Sequence, residues 1–253
     1  MHGQAYTADR SLKGKLRRRL VRLAERRTAS LPLTRPMVSF TFDDAPASAA
    51  HAGAAALEAH GLRGTYYVAA GLADQNGPVG RYASADEMLA LEARGHELAC
   101  HTFTHLDCGR ARAAQIAADV ERNVAALKAW GAKPATNFAY PYGDVSLDAK
   151  RALGGRFDVL RALHTGLIQT GTDLNQAPAV GVEGAHGPTH AHAWLKRAAA
   201  ENAWLLLYTH DVCDDHSIWG CTPHALRTLI DAAVAMGFDV VTVAEGAKRL
   251  QAA

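Results

Sequence analysis

A chain of 253 residues, 49% hydrophobic and 21% charged, is long enough for one large domain with a sizeable core, which excludes disordered, collagen-like and small disulfide-scaffold classes. No window approaches the roughly 18 uninterrupted apolar residues of a spanning helix, and the opening MHGQAYTADR holds no apolar signal core, so a soluble protein without a cleaved export signal is expected. Four cysteines are too few for a framework; the expected compartment is reducing, either free cytoplasm or the inner face of a membrane.

The net charge of +2 conceals an asymmetry. Residues 1–36 carry ten Lys/Arg against two acids, leaving 17 against 23, so an arm of +8 joins a body of −6. Within the arm, expected to span residues 1–35, Leu12, Leu16, Leu20 and Leu23 recur at helical spacing, while Lys13, Lys15, Arg17, Arg18, Arg19, Arg22, Arg26 and Arg27 fill the other faces. This amphipathic basic helix has two readings: a surface that meets anionic lipid or another polyanion, and a terminal helix whose leucines pack on the domain. Nucleic acid is not an expected partner, because the body is acidic and lacks a basic stripe interleaved with aromatics.

The punctuation Pro32 to Pro36 opens the body, residues 36–253. Strands are expected at Met37 to Phe42, Gly64 to Ala69, His96 to His101, Asn137 to Tyr140, Trp204 to Thr209 and Phe238 to Val243, with a weaker pair at Val159 to Ala162 and Ala179 to Val182. Between them helices are expected at Ala47 to His60, Ser84 to Arg94, Arg110 to Trp130, Pro223 to Met236 and Val243 to Leu250. Strand and helix in steady alternation give an α/β fold with a parallel sheet, open or closed, without an internal repeat or a second-domain linker.

Chemistry in such folds sits at the carboxyl ends of strands. Ser39 to Phe42 runs straight into Asp43 and Asp44, two like charges whose adjacency is costly unless one binds a cation and the other acts as a base. The bland alternative is a solvated turn or helix cap. At the next end, His101-Thr102-Phe103-Thr104-His105 places two imidazoles on one face if the spacing of four is helical, and with a carboxylate they make a three-ligand catalytic set. Pro141-Tyr142-Gly143 after a strand can present a backbone N–H as an oxyanion donor, and His210 after Leu205 to Leu207 is a candidate general acid or base.

In this order, the motifs resemble those of the polysaccharide deacetylases of carbohydrate esterase family 4, which share the NodB-homology domain. Thr41 to Asp44, His101 to His105, Pro141 to Gly143 and Tyr208 to His210 carry the resemblance, over roughly residues 37 to 250, with Gly64 to Val68 and Gly95 to Glu97 in support. It implies a distorted (β/α) barrel of mostly parallel strands and a metal-dependent hydrolase, acting on carbon–nitrogen bonds other than peptide bonds, that removes N- or O-linked acetyl groups from an oligosaccharide or polysaccharide. It also implies Asp44, His101 and His105 as ligands of a divalent ion, zinc foremost with cobalt, nickel or manganese accepted, and water at the ion as nucleophile. Asp43 would be the base, the Tyr142 N–H an oxyanion donor and His210 the acid, with the leucine-rich strand lining the acetate pocket. Alternatives are a barrel hydrolase of a non-sugar amide and a catalytically silent glycan-binding barrel.

The departures are specific. Ala139 stands where the family places Arg before Pro-Tyr-Gly, and Arg161, after the apolar run Phe157 to Leu160, is the expected substitute beside Asp43. Tyr208 replaces the family's Leu; the acid that tunes the catalytic His has no clear match, Asp173 and Asp211 being the candidates. The four cysteines, Cys100, Cys108, Cys213 and Cys221, are expected near one barrel face as buried free thiols, with a thiolate metal site or a disulfide as the alternatives, and His186, His190 and His192 in a solvated Gly-rich lid loop, with a second site as the alternative.

Overall fold

The computed structural model of the chain describes residues 19–252. Eight strands form one sheet, all of them parallel: β1 (Met37–Asp43), β2 (Thr65–Val68), β3 (Glu97–Cys100), β4 (Phe138–Ala139), β5 (Leu160–Arg161), β6 (Val180–Gly181), β7 (Trp204–Thr209) and β8 (Asp239–Val240). Their order is β5-β4-β3-β2-β1-β7-β6, with β8 paired to the start of β1. Ala177, just before β6, accepts from the Ala162 N–H and donates to the Leu160 carbonyl, both at 2.8 Å. The two ends of the sheet are thereby tied together as a (β/α) barrel. Both weakly patterned strands are present, in shorter form than the sequence suggested.

The strands read as continuous buried runs because both faces are covered. Val38, Phe40 and Phe42 of β1, with Leu205 and Leu207 of β7, point outward into a layer of helices. These are α1 (Ala54–Glu58, entered through a π-turn at Ala49–Gly53), α2 (Ala85–Ala93), α3 (Ala113–Trp130), α4 (Leu147–Leu153), α5 (Gly187–Glu201), α6 (Pro223–Ala235) and α7 (Val243–Ala247). Caps set where several begin: Ser84 with Glu87 and Thr242 with Glu245 form capping boxes. The period of two sends the alternate β1 residues, Ser39, Thr41 and Asp43, to the inside of the barrel, where Trp204 Nε1 donates to Ser39 Oγ and Thr41 Oγ1 to the Leu207 carbonyl. The polar inner column ends in a carboxylate at the barrel mouth.

Two helices, α4 and α5, were not expected from the sequence. Residues 186–192 enter α5 instead of forming a lid loop, with Pro188 in its first turn and Leu195 and Ala198 buried. Gly187 and the histidines masked a helix whose apolar positions are mostly alanine. The cysteines also divide: Cys100 and Cys108 pack with Ile116, Phe138 and Tyr140, whereas Cys221 packs with Val212 and Leu226 in the outer layer. All four are free, and burial pushes the Cys100 and Cys221 thiols up to about 11.

The arm is helical over residues 19–23, and Val21, not Leu20 or Leu23, is the residue it buries. Leu12, Leu16 and the basic residues up to Arg18 lie outside the described residues. The Lys150 ammonium, wholly buried, donates to the carbonyls of Val21 (2.6 Å) and Ala24 (3.0 Å) and pairs with Asp173 at 2.6 Å. Arg27 reaches the carbonyls of Phe157 and Asp158, and Ala29–Ser30 pairs with Gln251–Ala252.

Candidate active site

The two adjacent carboxylates part company at the end of β1. Asp43 is the last inward residue of the strand, while Asp44 adopts a left-handed backbone, φ 59°, and turns into the mouth. Among the described residues only eight non-glycines have positive φ, and five of them, Asp44, Ala45, Thr102, His105 and Tyr142, line or adjoin this mouth. Such conformations cost on the order of 1–3 kcal/mol each, so they persist where the surroundings over-determine them.

His101 and His105 are brought together by an irregular turn, not by a helix, which corrects the sequence reading. Asp119 on α3 holds that turn: Oδ1 accepts from the N–H groups of Phe103 (2.7 Å) and Thr104 (2.9 Å), and Oδ2 from the Thr104 hydroxyl. His101 Nδ1–H donates to the Ala139 carbonyl at 2.8 Å, which leaves Nε2 as its free donor atom. Burial, with His105 adding to it, pushes the His101 imidazole down to about 4, the neutral form a metal requires.

Asp44 Oδ1 stands 3.6 Å from His101 Nε2 and 3.4 Å from His105 Nε2, buried and without a hydrogen-bond donor. One ligand atom from each of the three residues lies within 4.8 Å of the others. Donors on a tetrahedral ion with bonds of about 2.0–2.1 Å are about 3.4 Å apart, so the two imidazoles and the orphaned carboxylate oxygen fit a divalent ion. Against His105 rests the Tyr142 ring, centroids 4.5 Å apart.

Asp43 has a different neighbour. Arg161 Nη2 lies 2.5 Å from its Oδ1, the guanidinium wholly buried and set against the rings of Tyr67 and Tyr208 at 4.9 and 5.3 Å. Arg161 pairs in register with Ala139, and neighbours in register on parallel strands project to the same side. The small Ala139, clustered with Tyr67 and Ala99, vacates volume inside the barrel that the arginine of the adjacent strand fills at the same height. Burial alone would raise the Asp43 carboxyl, but Arg161, and after it His101 and His210, hold it below the usual carboxylate range.

His210 follows β7 at the same mouth. Its Nδ1 faces Glu183 Oε1 at 3.2 Å and the Trp219 carbonyl at 3.3 Å. Burial would lower this imidazole, yet Glu183, with Asp43 and Asp44, pushes it up to about 9. Glu183 was missed in the sequence, although its position just past the strand Ala179 to Val182 is the criterion that found the others. The two acids proposed there serve elsewhere: Asp173 is held by Lys150 on the barrel flank, and Asp211 accepts from the Ser217 N–H and hydroxyl, both at 2.6 Å.

Asp43, Asp44, His101, His105, Tyr142, Glu183 and His210 line one cleft of about 470 Å³. Its apolar wall comes from Leu72, Pro78, Val79 and Leu163, with Tyr82 and Trp219. None of Leu205 to Leu207 contributes, because Leu205 and Leu207 face the helices and Leu206 the core beneath. Gly77, where Asn76–Gly77 pairs antiparallel with Gly80–Arg81, has no room for a Cβ, which would run into the Tyr82 hydroxyl.

A family model described as polysaccharide deacetylase matches residues 31–155, which hold Asp43, Asp44, His101, His105 and the Pro-Tyr-Gly turn. Over these residues the chain is similar to the polysaccharide deacetylase family. Solved structures of that family extend the likeness of fold beyond the matched segment. The chitin deacetylase of the fungal pathogen Colletotrichum lindemuthianum superposes with TM-score 0.62 at 18% identity, over 85% of this chain and 89% of that one. The Xyl-CE4 domain of a multidomain xylanase from the hindgut metagenome of Trinervitermes trinervoides gives 0.60 at 20%, over 85% and 91%. A family 4 acetyl xylan esterase of Clostridium thermocellum, in complex with a cobalt ion, gives 0.56 at 18%, over 83% and 89%. No curated protein matches the sequence. Arg161, Glu183 and His210 lie beyond the matched segment, and their place at the cleft is known from the fold.

Proposed function

We propose that this chain is a polysaccharide deacetylase, which hydrolyses N- or O-linked acetyl groups of a saccharide with a divalent ion held by Asp44, His101 and His105. The observation that carries the reading is the division of labour between adjacent carboxylates: Asp44 turned to two imidazoles, Asp43 held by a buried guanidinium. A silent glycan-binding barrel would have no use for that division. Zinc suits the His2Asp set best, with cobalt, nickel and manganese accepted by the same donors. The cobalt in the acetyl xylan esterase supports the class of ion.

When bound, the ion would polarise the acetyl carbonyl and lower the pKa of water toward about 7. Asp43 accepts the proton that water gives up as its oxygen joins the acyl carbon, and Arg161 keeps this base ionised beforehand. The Tyr142 N–H donates to the carbonyl oxygen as negative charge builds there. His210, charged through Glu183, gives a proton to the leaving nitrogen or oxygen as its bond to the acyl carbon breaks. Acetate and a free amine or hydroxyl result, with His210 left to regain its proton and Asp43 to lose one.

The direct test is acetate release from a panel of acetylated glycans, with a non-sugar amide as comparison. Asp43→Asn is expected to keep its metal by elemental analysis while losing on the order of 10² or more in kcat, the contribution of a positioned base. Full activity in that variant sinks the assignment. Glu183→Gln removes the anion that raises His210, so the alkaline limb of the rate profile is expected about one pH unit or more lower. An unmoved limb would show that Glu183 does not set the acid's pKa.

A further inference from the structure

The arm's helix, as described over residues 19–23, turns Leu20 and Leu23 to solvent. Buried Lys150 bonds the carbonyls of Val21 and Ala24 and so fixes which side of the helix meets the barrel. At 100° per residue, Leu23 stands about 160° and Leu20 about 100° round the helix from Val21. They are 69% and 57% exposed, while Val21 is 5%. The same spacing continues in the sequence through Leu16 and Leu12.

Basic groups flank this apolar edge. Arg19, Arg22 and Arg26 are exposed beside it, and Arg22 and Arg26 line a cavity of about 320 Å³ with His164 and Thr172. Among the described residues neither of these two arginines has an ion pair with a carboxylate; Arg26 donates to the Gly171 carbonyl and Asp173 in the same wall is engaged by Lys150. The sequence adds Lys13, Lys15, Arg17 and Arg18.

We propose that this helix anchors the protein to an anionic lipid surface, its leucines entering the boundary of the acyl chains and its arginines binding headgroup phosphates, Arg22 and Arg26 at the cavity. Exposed leucines between basic flanks meet both components of such a surface at once. A second copy would cover the leucines but bring two sets of cations together, and a soluble polyanion would leave the leucines wet. The body carries a net −6, so attraction to such a surface comes from the arm and the cavity that its arginines line.

The test is co-sedimentation of the full chain with vesicles of phosphatidylglycerol and phosphatidylcholine, against vesicles of phosphatidylcholine alone. The protein is expected to partition onto the anionic vesicles only, less so in high salt. Leu20→Gln/Leu23→Gln is expected to weaken partition on the order of tenfold or more, and Arg22→Glu/Arg26→Glu likewise. All four side chains are exposed, and thermal melts followed by circular dichroism check that the variants stay folded. Absence of binding to anionic vesicles, or binding that the leucine pair leaves unchanged, overturns the proposal. So does a dimer in light scattering that the leucine pair dissolves, which would assign the face to a second copy. Because no step reads catalysis, the outcome is independent of the deacetylase reading.

Discussion

His105→Ala is expected to strip the protein of its divalent ion and of its activity together. Loss of a group that merely supports a metal ligand typically costs 10–100-fold in affinity, so loss of a ligand should cost at least about 100-fold. His105 is the cleaner of the two histidines to replace. The His101 side chain is buried and bonded to the Ala139 carbonyl, so its removal would leave a cavity and an orphaned acceptor, whereas His105 is partly exposed and gives up mainly its contact with Tyr142. Metal content by elemental analysis and acetate release at saturating added zinc are the two readouts. Full metal in the variant would overturn the ligand set.

Arg161→Leu is expected to be the most damaging single change for stability as well as catalysis. It leaves Asp43, 3% exposed, with its charge buried beside no guanidinium. Breaking a buried pair from one side costs about 3–5 kcal/mol, which for a chain of this length corresponds to a drop in Tm of roughly 10 °C. The sign with pH follows from linkage. In the parent the Asp43 pKa is depressed, so the pair stabilises above the ordinary carboxylate pKa and that stability is lost as pH falls through the depressed value. Without Arg161, burial dominates and raises the pKa, so the variant's deficit is largest near neutral pH and shrinks as pH falls through the raised value. The acidic limb of the rate profile should move upward with it, while the metal stays bound. Arg161→Lys, which keeps the charge but not the planar fork, should recover part of the limb and of the Tm. Unfolding at two pH values, with rate profiles of both variants, checks this. An unmoved limb in Arg161→Leu would mean that the ion alone keeps Asp43 charged.

The chemistry-bearing residues were legible because each sits in a local pattern. A buried run of alternating character ends at Asp43 and Asp44, another precedes His101, and a third precedes His210; polar groups at those ends stand out in any parallel α/β chain. Strand Val180–Gly181 and the helix Gly187–Glu201 were harder to read, because a two-residue strand has no periodicity to speak of and alanine marks a helical face weakly. The H-x3-H spacing was read as a helical turn, whereas an irregular turn brings the two imidazoles together, held by Asp119 on the helix that follows.

By itself the sequence determined the alternation of strands and helices, the family, and the residues at the strand ends, all of which follow from propensity, burial pattern and short spacing. Only the tertiary structure decided how they combine. Ala139 and Arg161 become neighbours through strand register, so the guanidinium beside Asp43 comes from the strand next to Ala139; Glu183 and His210 meet because β6 and β7 lie side by side. The direction of the leucine edge was decided the same way, by a buried lysine more than a hundred residues further on that holds Val21 inward. Such relations depend on which strands pair and at what height, and pairing is a property of the closed barrel that no local stretch of chain carries.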